Sequence, residues 1–480
     1  MTDNLLISLL SGQTVAPQQD YLITPAVTQP SAVAREYAAL RHHIFVDQQG
    51  LFTGTDRDDA DDNAATTVLV ATDPAGTLLG GVRLAPAHSP DIGWWTGSRL
   101  VLSPQSRGSG VGQALVRAAC AWAEANGVLR FEATVQQRYA ALFTSLGWIR
   151  LGDSVFAGVP HVRMRWPIDR FDRQVAATKS MLAGVLSPLT HQPLGLGPAQ
   201  FRGDDGVPVG DPAAGLIAAC DAIIPSMVAR DPEWAGWCGA LVNLNDLSAM
   251  GATATGLLDA VGAPTASQVT RIIRGLAAAA AAWGVPVLGG HTQVGVPAAL
   301  SVTALGHTTN PIPGGGARPA DTLTLTADLA GSWRPGYTGA QWDSTSTRDS
   351  ADLRHLAGIV ARTAPHAAKD VSMAGLVGTV GMMAEASGLG ADITVGDVAR
   401  PDDTRPGDWL TCFPGFAMIT ADTRGRAVAD PGPATSKPCG TFRARTGLQP
   451  LVTLAWPDGE TTTAITGSVT GLAPTEQDIL

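Results

Sequence analysis

Lysine is nearly missing from this chain: among 480 residues it occurs only at 179, 369 and 437, so arginine supplies most of the 32 basic side chains. Against 42 acidic residues these leave a net charge of −10. No basic patch stands out that would neutralise a phosphate backbone, which argues against a nucleic-acid partner. Cysteine is scarce as well. Cys120, Cys220, Cys238, Cys412 and Cys439 form no C-x-x-C pair and no metal-ligand spacing, so buried free thiols in a reducing compartment are expected. Long apolar runs are missing too. Leu5 to Leu10 is short and has no basic flank, unlike a signal peptide. Leu276 to Leu288 is broken by Gly284 and Pro286 and cannot span a bilayer. A cytoplasmic protein without a membrane partner is expected. What is present, 45% hydrophobic and 15% charged residues, describes a compact chain, and its length calls for two or three domains.

The later half is organised around Asn243-Leu244-Asn245-Asp246-Leu247-Ser248-Ala249-Met250-Gly251. Read forward from Gly239, an apolar strand (Ala240, Leu241, Val242) leads to a helix expected to begin at Asp246. The carboxylate there is either a cap for open backbone N–H groups or a ligand. Three turns share its character: Gly203-Asp204-Asp205-Gly206, Gly289-Gly290-His291-Thr292 and Lys369-Asp370-Val371-Ser372. Acidic turns beside glycines suit magnesium and a polyphosphate, with hard oxygens for the metal and bare backbone for the phosphates.

These four motifs, which follow along the chain with the Gly-Asp-Asp-Gly turn first, resemble the superfamily of aminoimidazole ribotide (AIR) synthase, thiamine-monophosphate kinase, selenophosphate synthetase and the hydrogenase maturation protein HypE. The resemblance covers about residues 170–475. It implies a two-lobed PurM-like fold that binds ATP and Mg2+ and phosphorylates an amide- or carboxyl-type oxygen. It further implies Asp204, Asp205, Asp221 and Asp246 as metal ligands. Asn243, Gly289, Gly290 and His291 would lie at the nucleotide, Asp370 at phosphate or substrate, and Lys369 would offset transition-state charge. Members dimerise through the first lobe, so a homodimer is implied. Ala-rich Ser267 to Trp283, Leu353 to Thr363, and Ser372 to Ser387 read as helices, the last with Ser372 as its cap. Arg170 to Leu186 reads as one helix packed on this half.

In the first half, Val33, Tyr37, Leu40 and Ile44 have helical spacing. Asp56 to Asp62 reads as a solvated acidic loop. Strands at Thr67–Ala71, Leu78–Leu84 and Arg99–Leu102 lead into Arg107-Gly108-Ser109-Gly110-Val111-Gly112 and a helix to Asn126. A strand, a glycine turn and a helix N-terminus make an anion site. With the strand Leu129–Val135, the helix Tyr139–Leu146 and then Gly147-Trp148, this order resembles the GCN5-related N-acetyltransferases (GNAT) over roughly 30–168. That likeness implies that Arg107, Gly108, Gly110 and Gly112 hold the pyrophosphate of acetyl-CoA or another acyl-CoA. The strand ending at Leu102 would pair with the pantetheine arm, and an amine would be the acceptor. The family's usual tyrosine acid is replaced by Thr144; Tyr139 and Glu132 are the candidate acid and base.

The expected architecture is α/β and α+β: an N-terminal arm (1–30), a GNAT fold (31–168), and PurM-like lobes at 169–315 and 316–480. The expected function is a bifunctional acyltransferase and ATP-dependent enzyme. The alternative is a sensor that binds nucleotide and coenzyme without chemistry in one or both parts.

Overall fold

The computed structural model describes residues 20–26, 32–193 and 195–473. Leu5 to Leu10, with most of the expected arm, lies outside the described residues. The chain forms two compact units, Met1–Ile168 with Arg405–Gly407, and Asp169–Thr404 with Asp408–Leu480.

The first unit is built on one sheet of seven strands: β1 (Leu22–Ala26), β2 (Thr67–Thr72), β3 (Leu78–Pro86), β4 (Trp94–Leu102), β5 (Arg130–Gln136), β6 (Ile149–Phe156) and β7 (Val159–Trp166). Their order is β1-β2-β3-β4-β5-β7-β6, and only β4 and β5 run parallel. Helix α1 (Ala32–His42) continues into a π-helical turn, His43–Gln48. Helices α2 (Val111–Ala125) and α3 (Ala140–Ser145) follow β4 and β5. Leu115, Val116, Ala119 and Ala123 recur every three or four residues, so one face of α2 joins Leu84, Phe131 and Met164 in a single core.

The acidic stretch is a solvated loop only in part: Arg57, Asp59 and Asp62 are exposed, while Asp56 is buried and Asp61 partly so. Arg41 meets Asp56 at 2.7 Å, Arg83 meets Asp61 at 2.7 Å and Arg99 meets Asp58 at 2.9 Å. Arg41, Asp56 and Arg83 are buried, where a lone charge would be costly; three charges of each sign make the network neutral.

The second unit opens with α4 (Arg170–Thr178) and α5 (Leu182–Leu186), two helices where the sequence suggested one. They are followed by α6 (Pro225–Arg230), α7 (Pro232–Ala249) and α8 (Ala266–Trp283). The first lobe's strands are β8 (Val207–Pro208), β9 (Leu216–Ile223), β10 (Thr253–Ala263), β11 (Val287–Val294) and β12 (Ala299–His307), in the order β11-β10-β12-β9-β8. Helices α7 and α8 pack against each other and on this sheet, around Leu241, Leu244, Ile272, Leu276 and Val302.

Helix α7 corrects the sequence reading. One 18-residue helix replaces the expected strand at Ala240–Val242. A helix buried on nearly every side has no polar face, so its apolar period is lost. Asp246 therefore stands in the helix's last turn, and the cap reading falls. The dipole there disfavours negative charge.

The second lobe has a main sheet of seven strands and a small β pair. Strand β13 (Thr322–Ala327) leads to the small pair β14 (Ser332–Trp333) and β15 (Trp342–Asp343). Then come β16 (Ala367–Asp370), β17 (Leu389–Thr394), β18 (Ala417–Asp422), β19 (Thr435–Ala444), β20 (Val452–Ala455) and β21 (Thr461–Ile465). The main sheet's order is β16-β18-β13-β19-β17-β20-β21. Helices α9 (Ser350–Ala357) and α10 (Ile359–Thr363) replace one expected helix. Helix α11 (Gly375–Ala386) starts three residues after Ser372, which is not its cap. Near the end of α11, buried Glu385 accepts hydrogen bonds from the backbone N–H groups of Val469, Thr470 and Gly471. Leu472, just beyond, lies where a side chain on Gly203 would have to go. Among the described residues, no helix is long and apolar enough to cross a membrane.

Candidate active sites

Four carboxylates and one ammonium meet between the lobes of the second unit. Asp204 and Asp205 come from the loop before β8, Asp246 from the last turn of α7, and Lys369 and Asp370 from the end of β16. One oxygen from each of Asp205, Asp246 and Asp370 lies within 4.8 Å of the other two. At that separation and an effective dielectric of about 20, two ionised groups repel by roughly 3–4 kcal/mol. Three such pairs match the whole net stability of an ordinary domain. The group is tolerated only with protons or a cation among its oxygens. Burial, and then the charges of Asp370, Asp221 and Asp205, push the Asp246 carboxyl well above the usual range. Burial and Asp205 act likewise on Asp370. Burial pushes Asp205 up to about 6, with Lys369 pulling the other way. Hard oxygens converging under mutual repulsion are a donor set that fits a magnesium-type ion.

Lys369 is buried, with Nζ 2.7 Å from Asp204 Oδ1 and 2.5 Å from Asp205 Oδ1. Burial works against its charge, but the two carboxylates outweigh that and raise its pKa. Asp204 Oδ2 accepts from the Gly314 N–H at 2.6 Å. A side chain at 314 would strike this carboxylate, so glycine is required for the approach. Asp204 thus anchors Lys369 and stands outside the group of three, unlike its neighbour Asp205.

Asp221, in β9, also stands outside the three, although its charge acts on Asp246 and Asp370. Loss of solvation around the carboxyl raises its pKa, against the pull of Lys179, while the residue keeps an exposed edge. Asn243 was expected at phosphate. Its amide instead accepts from Asp221 N at 3.1 Å and donates to Gly239 O at 2.9 Å, wholly buried. It positions Asp221. Gly289, Gly290 and His291 were expected in a turn but lie within β11, which is exposed at every residue. His291 is paired in register with Ala260 and is not in the carboxylate group. Asp370, expected at phosphate or substrate, is one of the three. Asn245, which the sequence reading passed over, donates to Gly415 O at 2.8 Å and ties α7 to the Phe413-Pro414-Gly415-Phe416 turn.

In the first unit, β4 pairs with β5 only from Trp94 to Gly97. Beyond that point the strands part. Arg99 has a left-handed backbone, φ +53°, within a break of register between β4 and β3. Tyr37 OH donates to its carbonyl at 2.8 Å, and its guanidinium donates to Asp56 O at 2.8 Å, so the buried ion network holds this bulge. Residues 98–102 are left without a β5 partner and run toward the glycine turn. There Gly108 and Gly110 have φ of +81° and +87°. Helix α2 starts with no side-chain cap, leaving its first N–H groups open. An open strand edge beside an uncapped helix start suits an extended arm that ends in an anion. Leu102 packs beside Gly112, and Arg107 donates to Gln48 at 3.4 Å.

Glu132 is not the exposed strand carboxylate that its position suggested. It is half-buried and accepts from Arg130 at 2.9 Å and Arg165 at 2.7 Å. Two guanidinium groups thus take up this carboxylate. Tyr139 is exposed, with the Arg138 guanidinium 4.9 Å from its ring centre, and Thr144 is exposed as well.

A splayed-strand acetyltransferase sheet and a two-lobed unit with carboxylates at its junction define a fusion of two enzyme-type folds. The acetyltransferase (GNAT) family matches residues 35–148. The N-terminal and C-terminal domains of AIR synthase related protein match 203–308 and 350–431. The uncharacterized protein sll0787 of Synechocystis sp. is 32% identical over 47% of this chain and 71% of its own length. Thiamine-monophosphate kinase of Halobacterium salinarum is 29% identical over 47% of this chain and 75% of its own. The structure of T. maritima PurL complexed with ATP shares the fold of the later part, with a TM-score of 0.52 at 16% identity, over 65% of this chain and 53% of that one. The chain belongs to the AIR synthase-related family and carries a GNAT-family acetyltransferase domain ahead of that part.

Proposed function

We propose that the protein is a bifunctional small-molecule enzyme. Its first unit transfers an acyl group from acyl-CoA to an amine, and its second uses ATP and magnesium to phosphorylate an amide- or carboxyl-type oxygen. One observation carries the second assignment: Asp205, Asp246 and Asp370, far apart in the chain, bring their oxygens within 4.8 Å of one another. A magnesium ion bound there supplies neutralisation of phosphate charge. Asp205, Asp246 and Asp370 hold the ion, Asp221 flanks it, Asn243 keeps Asp221 in place, and Asp204 fixes Lys369. The sheet's exposed edge strand β11 and exposed Leu258, Leu288 and Val294 support a homodimer through the first lobe.

In the first unit, the amine nitrogen attacks the thioester carbonyl, the C–S bond breaks, and the thiolate takes up the proton that the amine loses. Unpaired β4 backbone N–H groups polarise the carbonyl. Tyr139 is the candidate acid, while Glu132, held by two arginines, is not carried forward as the base. Coenzyme binding without transfer is the second reading for this unit, favoured by Thr144 at the family's acid position.

Titrating ATP with and without magnesium into wild type and Asp246→Asn tests the second unit. Magnesium should tighten binding to wild type at least about tenfold and do little for the variant. Equal affinity in all four titrations would remove the metal role. Release of free thiol from acetyl-CoA with a panel of amines tests the first unit; silence with tight coenzyme binding would favour the second reading.

A further inference from the structure

The groups at the lobe junction are unequal in number: four carboxylates face one ammonium. Lys369 lies 2.7 Å from Asp204 and 2.5 Å from Asp205, and Asp205 Oδ2 accepts from the Asp370 N–H at 3.0 Å. Both oxygens of Asp205 are thus engaged before any ion arrives. Among the described residues, no cationic side chain makes an ion pair with Asp246 or Asp370. Asp205 alone belongs both to the lysine pair and to the group of three.

The geometry points to Lys369 as a tethered counter-cation that a divalent ion must displace from Asp205, so that the site takes metal by exchange rather than by simple addition. The inference rests on the metal reading above and goes beyond it, because it makes the Asp204–Lys369 pair a control on metal affinity. After exchange the ammonium keeps Asp204 as its anchor and swings on a flexible stem. It then stands beside the ion, placed to meet the negative charge that arrives with a phosphate. A passive ion pair bracing the 203–206 loop predicts the opposite sign. If Lys369 only braces, removing it weakens metal binding or leaves it unchanged. If it competes, removing it strengthens binding, since two cations no longer contend for one carboxylate.

The test is Mn2+ binding to the full chain without nucleotide, followed by the electron paramagnetic resonance of free Mn2+. Lys369→Met keeps the length of the side chain and removes the charge. It should bind Mn2+ about tenfold tighter than wild type or more. Equal or weaker binding by the variant, with wild type still binding, overturns the exchange while leaving the metal reading intact. No binding by either protein overturns both. Should the variant fail to fold, wild type suffices, because its three lysines allow amine-reactive ester labelling to be resolved by mass spectrometry. Mn2+ should speed labelling of Lys369 severalfold while Lys437, paired with Asp397, stays constant. Unchanged labelling of Lys369 overturns the inference.

Discussion

Burial, the last turn of a helix and the neighbouring Asp370, Asp221 and Asp205 all oppose the charge of Asp246, against the weaker pull of Lys369. The Asp246→Asn variant should therefore be more stable than wild type without metal, by about 2–6 °C in melting temperature, while losing the magnesium dependence of ATP binding. The same groups set a pH dependence. Raised folded-state values mean that the folded chain holds protons which the unfolded chain releases, so stability falls as pH rises from about 4 upward. For Asp205 that loss runs through about 6; for Asp246 and Asp370 it extends higher. Melting curves from pH 4 to 8 should show this decline, and millimolar magnesium should flatten it. Asp205, Asp246 and Asp370 were all visible in the sequence because each lies in a short motif. The roles of Asn243, Asp204 and Lys369 were not, because Asp204 and Lys369 meet across the lobes from 165 residues apart and Asn243 reaches Asp221 in a different element.

At the scale of elements, the order of strands and helices around the glycine turn was readable from spacing, whereas α7 and β11 were misread. A fully buried helix has no apolar stripe, and the two glycines of β11 mimic a turn although the strand runs through them. The start of α2 offers a direct check. Gly110 has φ +87° and open space where a Cβ would go, so Gly110→Ala meets only backbone strain, about 1–2 kcal/mol. Reshaping of that turn should weaken coenzyme A binding about tenfold by calorimetry, with ATP binding unaffected. The parting of β4 from β5 was hidden for a different reason. It depends on Arg99 and the buried arginine–aspartate network, and the sequence shows those charges without showing that they meet.

For the molecule as a whole, the first lobe presents an edge strand with no neighbour on its outer side among the described residues, a surface that single chains usually protect. Sedimentation at micromolar concentration should give a dimer, and Leu288→Asp, at an exposed apolar position on that strand, should give a monomer. Sequence could not separate this strand from a core strand, since apolar residues look alike whether their own helices or a second copy cover them. Glu385 sets a last condition. By gripping the backbone at 469–471, it presses Leu472 against Gly203, beside Asp204. A protease cut between 466 and 472 would slacken the acidic loop at the opposite end of the unit's sequence, so limited digestion there should abolish magnesium-dependent ATP binding by the second unit while every one of its carboxylates remains in place.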